Sequence, residues 1–159
     1  MDDVTEHCSS DGLGGIDRVI LVHGFGAGPH DHWFPWLARS FRHVEVPRLP
    51  HPESPDASTW ASTIAERIGT SPDGLAGLAI VTHSLGGLTA LRAIERVIAC
   101  GSPVNGDGRH LAAFIAVAPF AQQLPPTGEA ELDHFLATGL EGFLDGASPG
   151  ELRPLLGRT

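Results

Sequence analysis

Ser84 stands in the stretch IVTHSLGG, residues 80 to 87. An apolar, β-branched run leads into it, and an apolar periodic segment leads out. A serine at such a strand-to-helix junction sits on a tight turn that lifts its Oγ above the sheet, where it can attack a carbonyl. The turn crowds the residues two before and two after the serine. Gly86 meets that demand and Gly87 adds room, whereas Thr82 takes the place of the first glycine of the G-x-S-x-G pattern. A helix beginning after Ser84 aims its N-terminal dipole at the site, with the Leu85 N–H facing a developing oxyanion. The chemistry this spacing supports is acyl transfer through a serine nucleophile. A plain N-cap serine has the same local sequence, so other segments must decide between the two.

His23-Gly24-Phe25-Gly26 leaves an earlier apolar strand at the same end of the sheet as Ser84. Its glycines allow close approach of backbone to a substrate, and Phe25 N–H is the candidate second oxyanion donor. His23, Gly24, Gly26, His83 and Trp33 are the candidate walls of the substrate pocket. His83, beside Ser84 on the turn, points away from it and supports the turn instead of serving as base. A dinucleotide loop would need G-x-G-x-x-G, but Pro29 fills the third glycine's place, so Glu45 has no fingerprint to complete. His30, His32 and His51 lack the cysteine or carboxylate spacing of a four-ligand metal site. The expectation is no metal and no cofactor.

In this chain order an acid and then a histidine follow the serine. After Ser84 only His110 and His134 remain. His110 precedes the fourth strand, which puts it at the far end of the sheet. His134 follows that strand and is the candidate base, with Asp145 the freest of its candidate acids over Glu129, Glu131 and Asp133. The adjacent side chains of Asp133 and His134 diverge on a helix. ELDHFL also reads as an amphipathic lid helix with Leu132, Phe135 and Leu136 facing inward.

The elements that must position these residues alternate. DRVILVH (17–23), HVEVP (43–47), GLAIVTH (77–83) and LAAFIAVA (111–118) read as strands. Helices are expected from Asp31 to about Phe41, from Asp56 or Ser58 through Trp60, Ile64 and Ile68, and from Leu85 to Ala99. In the first of these Trp33, Trp36, Leu37 and Phe41 share a face, so both tryptophans are expected in the core. Alternation of this kind predicts a parallel sheet with helices on both faces, a three-layer α/β sandwich. Right-handed crossovers give strand order 2-1-3-4. Residues 1–15 read as a loose leader and 16–159 as one domain, whose stretch from about 121 to 156 is a lid-like helical tail with short helices near 129–144 and 150–156.

The chain has 159 residues and suits one core, burying about 70% of its unfolded surface. A formal net charge of −9 speaks against nucleic acid or an anionic membrane surface as partner. Two cysteines are too few for a disulfide framework. The acidic start MDDVTEHCSS has no apolar region of a secretory signal, and no apolar run reaches the roughly 18 residues of a membrane span. The expectation is a cytoplasmic protein acting on a small acyl or ester substrate.

VILVHGFG, Trp33 with Trp36, PRLPHPESPDASTW and VTHSLGG occur here in that order. Together they resemble the small α/β-hydrolases similar to retinoblastoma-binding protein 9. The resemblance covers residues 17–120 well and 121–156 loosely. It implies serine esterase or hydrolase chemistry, with Ser84 at the nucleophile's position and neither cofactor nor metal. Family members continue through a further strand ending in an Asp, then a helix, then a loop bearing the catalytic His. The present sequence stops where that strand is expected, about one strand-helix unit of 30 residues short. Three readings therefore stand: a serine hydrolase, a binding protein or pseudoenzyme that keeps the pocket, and a shortened product of a longer enzyme. The missing strand would also leave the fourth strand as an apolar edge. Unless the tail from Gly128 to Leu156 covers that edge, it predicts a homodimer or poor solubility.

Overall fold

The computed structural model describes residues 15–70, 73–100 and 111–145. The leader, His110 and the helix expected at 150–156 lie outside these. Among the described residues nine elements follow one another: β1 (Arg18–Val22), α1 (Phe34–Ala38), β2 (Val44–Glu45), α2 (Ala57–Gly69), β3 (Leu78–His83), α3 (Gly86–Ala99), β4 (Ala113–Val117), α4 (Ala130–Thr138) and α5 (Glu141–Leu144). The four strands form one parallel sheet in the order β2-β1-β3-β4. Every strand runs the same way, so the loops after all four gather at one end.

Alternation along the central strands sends side chains to two cores. Ile20, Val22, Leu78 and Ile80 face α2 and α3, joined by Trp60, Ile64, Leu88 and Ile94. Val19, Leu21, Ala79 and Val81 face the other way, where Phe34 seals them. The α2 start is fixed by Asp56, whose carboxylate accepts the Thr59 N–H at 2.7 Å. Trp60 is fully buried, and its indole N–H donates to the Pro50 carbonyl at 2.7 Å. The tail folds back on this first face. Phe135, Leu136, Leu140 and Phe143 enter the α2–α3 core, and the Phe143 ring meets Trp60 edge-on at 5.9 Å.

Two expectations on the other face are corrected. The first helix has five residues, and Asp31 does not cap it but accepts the Gly28 N–H at 2.7 Å, closing a tight turn in the loop. Trp36 is 65% exposed, and Phe34 is the buried aromatic instead. A helix of under two turns has no room for a stripe running from 33 to 41. Beside Phe34, the partly buried Trp33, Leu37 and Phe41 pack on this face. Ile115 on β4 is 51% exposed, and among the described residues no strand pairs with the outer edge of β4.

Candidate active site

The register places the site. Val22 pairs with Thr82 and His83 with Val117, so β1, β3 and β4 end side by side. Ser84 is the next residue after β3. Its N–H donates to the Val117 carbonyl at 2.9 Å, and its carbonyl accepts from Gly87 N–H at 3.0 Å. Between these two bonds the backbone turns sharply, with φ of Ser84 at +52°. A side chain in that region costs on the order of 1–3 kcal/mol and is held there by its surroundings. Four non-glycine residues among those described have positive φ: His32, His51, Ser84 and Ala118. They lie one each in the loops that leave β1, β2, β3 and β4. Backbone strain is therefore concentrated at the end of the sheet where Ser84 stands.

The glycines of the turn have different jobs. A Cβ on Gly86 would lie 2.7 Å from the His23 carbonyl and overlap the Val22 carbonyl outright. The glycine two after the serine is thus demanded by the end of β1. Gly87 is the one that faces Thr82, whose Oγ1 would be 3.5 Å from a Cβ there. Thr82 is buried in the first glycine's position.

The loop after β1 lies directly on the turn. A Cβ on Gly24 would be 3.1 Å from Ser84 Cβ and 3.5 Å from Leu85 N. Among the described residues, the N–H groups of Phe25 and Leu85 donate no hydrogen bond. Two unspent backbone donors therefore flank Ser84. The Phe25 ring stacks on Phe135 of α4 at 5.0 Å, which roofs the loop.

His23 does not line an open pocket. It is fully buried, with Nδ1 at 3.0 Å from the Gly24 carbonyl and Nε2 accepting the Leu49 N–H at 3.1 Å. An acceptor on one side and a donor on the other assign the neutral ring with its proton on Nδ1. Burial pushes its pKa below the ordinary histidine value, consistent with that form. His23 ties the loop after β1 to the loop after β2. His83 turns from Ser84 into a cluster with His32, Trp33 and Phe34, its ring 4.7 Å from that of His32. Desolvation first, and the His32 charge second, lower its pKa.

His134 and Asp145 are not joined to Ser84. Phe135 and Leu136 face the core, so His134, a residue earlier on α4, is exposed. Among the described residues its ring makes no hydrogen bond or ring contact, and its carbonyl accepts from Thr138 Oγ1. Asp145 is exposed at the end of α5. Asp133 accepts the N–H groups of Thr127 and Gly128, which lower its pKa. Glu45 is paired with Arg18 at 3.6 Å. Among the described residues no group of three His, Cys, Asp or Glu side chains is placed to hold a metal ion, and no helix is long and apolar enough to cross a membrane.

Sequence reasoning missed a cleft of about 530 Å³ between the loops after β1 and β2, walled by Gly26, Gly28, Arg48, Leu49, His51 and Glu53 among others. Its sequence signal is the proline-broken segment RLPHPESPD.

Comparison with known proteins agrees with this geometry. The chain matches the family model described as serine hydrolase over residues 19–141, from β1 to the start of α5. "Putative hydrolase YdeN" of Bacillus subtilis (strain 168) is 28% identical over 112 residues, 68% of this chain and 53% of YdeN. The crystal structure of the ydeN gene product matches with a TM-score of 0.54 at 28% identity, covering 75% of this chain and 59% of that one. The chain thus spans between half and three-fifths of the length of the relative it matches.

Proposed function

The chain belongs to the serine hydrolase family, and from that premise we propose that it cleaves an ester or related acyl substrate through Ser84. The observation that carries this reading is the strained turn at Ser84, φ +52°, flanked by the unspent N–H groups of Phe25 and Leu85. It supports reading the turn as a nucleophile elbow, with the two N–H groups as its oxyanion hole. Ser84 Oγ attacks the acyl carbonyl and loses its proton to a base. The carbonyl oxygen, now anionic, accepts hydrogen bonds from Phe25 and Leu85. Collapse expels the alcohol, which takes up a proton, and water then releases the acid from the acyl-serine. His134, with Asp145 as its acid, is the candidate base, although neither is joined to Ser84 among the described residues.

A second reading is favoured by one observation: among the described residues no imidazole is hydrogen-bonded to Ser84. In that reading the chain is a binding protein that keeps the pocket. Turnover of small aryl esters separates the two. The hydrolase reading expects hydrolysis above a Ser84→Ala control. Without a base, the oxyanion donors and binding alone leave about 10³–10⁴-fold over water. Rates equal to the control would favour the binding protein, and a further fall in His134→Ala would support the candidate base.

A further inference from the structure

The cleft between the loops after β1 and β2 opens at the same end of the sheet as Ser84. Three bonds hold its two sides together. Gly26 N–H donates to the Pro52 carbonyl at 2.8 Å, Leu49 N–H to His23 at 3.1 Å, and Trp60 Nε1–H to the Pro50 carbonyl at 2.7 Å. The buried His23 and Trp60 rings meet edge-on at 5.5 Å behind this seam. The cleft is therefore preformed, and its volume is that of a small-molecule site.

Part of its backbone is already committed. The N–H groups of Gly26, Gly28 and Leu49 are all spent internally, on Pro52, Asp31 and His23. The charged side chains of the wall are Asp31, one of whose carboxylate oxygens accepts the Gly28 N–H, Arg48 and Glu53. Arg48, an exposed residue, carries the permanent positive charge of a wall that also holds the carboxylates of Asp31 and Glu53, and it is close enough to His23 to act on its titration. Among the described residues Arg48 has no ion pair and donates no hydrogen bond; the ion pair found there is Arg18 with Glu45. An unpaired guanidinium in a preformed cleft matches a carboxylate, which it can hold through two parallel bonds.

The cleft is also within reach of Ser84. Gly24 abuts Ser84, and Gly26 lines the cleft. Two residues of chain span at most about 7 Å, so Gly26, on the near side of the cleft, is on the order of 10 Å or less from Ser84. We infer that this cleft is the acyl-side subsite and that Arg48 binds a carboxylate on the acyl part of the substrate, selecting short dicarboxylic half-esters. This inference rests on the proposed hydrolase reading.

Binding tests it apart from turnover. The wild-type chain and Arg48→Gln are titrated with monoethyl glutarate, following the backbone amide signals of Gly26 and Gly28 by NMR. Ethyl butyrate and an ester with an ammonium group in place of the carboxylate serve as comparisons. The expected result is saturable binding of the half-ester, at least tenfold tighter than either comparison. In Arg48→Gln that advantage collapses to about one, and Arg48→Lys keeps part of it. Equal binding of all three esters, preference for the ammonium ester through Glu53, or an advantage unchanged in Arg48→Gln would each overturn the inference. Failure of the hydrolase reading is seen separately, as failure of a neutral fluorophosphonate to label Ser84.

Discussion

Gly24 packs closely against Ser84: a side-chain carbon on Gly24 would stand 3.1 Å from Ser84 Cβ and 3.0 Å from the His83 carbonyl. The loop that offers Phe25 N–H is therefore packed onto the serine turn with no space between. Gly24→Ala must push them apart by a few tenths of an ångström. We expect a fall of at least tenfold in reaction at Ser84, since an oxyanion donor is worth about 10²–10³ in rate. Circular dichroism is expected to stay that of the folded chain. Gly86→Ala should be worse, because its Cβ would overlap the Val22 carbonyl, and soluble yield is the readout.

Strain at Ser84 predicts a trade between stability and function. At φ +52° a glycine is free of the Cβ penalty. Ser84→Gly should abolish reaction yet raise stability by about 1 kcal/mol, a few degrees in Tm. Ala118→Gly, at φ +50°, should stabilise by a similar amount without removing the serine. Thermal melts of the two variants against wild type check this.

His23 sets a pH dependence. Its folded pKa is depressed by burial, so the unfolded chain binds the proton first. Stability from the neutral ring is full above the unfolded pKa near 6.5 and is lost as pH falls from there toward the folded pKa. The slope is at most about 1.4 kcal/mol per pH unit for one proton. Urea midpoints measured between pH 7.5 and 5 should fall, and fall less steeply in His23→Ala. That variant should also lose roughly 2–4 kcal/mol at pH 7.5, because the Gly24 carbonyl and Leu49 N–H lose their partners.

The outer edge of β4 carries Ile115 and Val117 exposed and no charge. An uncharged apolar edge templates pairing with another chain. We expect concentration-dependent association in sedimentation velocity, suppressed by Ile115→Lys. A monomer at all concentrations would contradict it.

Strand order and the serine turn were legible because each rests on local signals: apolar runs of five or six residues, an Asp56 cap and a glycine pair. What was not legible depended on distant partners. Trp33, Trp36 and Leu37 look like a helical stripe, but α1 stops after five residues: Trp33 and Leu37 pack partly buried on the core, Phe34 takes the fully buried position and Trp36 is left exposed. Phe34→Ala should accordingly cost about 3–5 kcal/mol and Trp36→Ala less than about 1. His23 read as a pocket residue because a polar side chain after a strand suggests a ligand. Its burial is decided by Leu49 and Trp60, far along the sequence. The cleft at Arg48 arises only when two separate loops are pinned together.

The central claim is that Ser84 is an activated nucleophile, and covalent labelling tests it most directly. The purified chain and Ser84→Ala are treated with a fluorophosphonate, and the modified peptide is identified by mass spectrometry. The account predicts a single adduct on Ser84 in the wild type and none in the variant. A folded wild-type chain that takes up no label, or takes it up equally with Ser84→Ala, would contradict it.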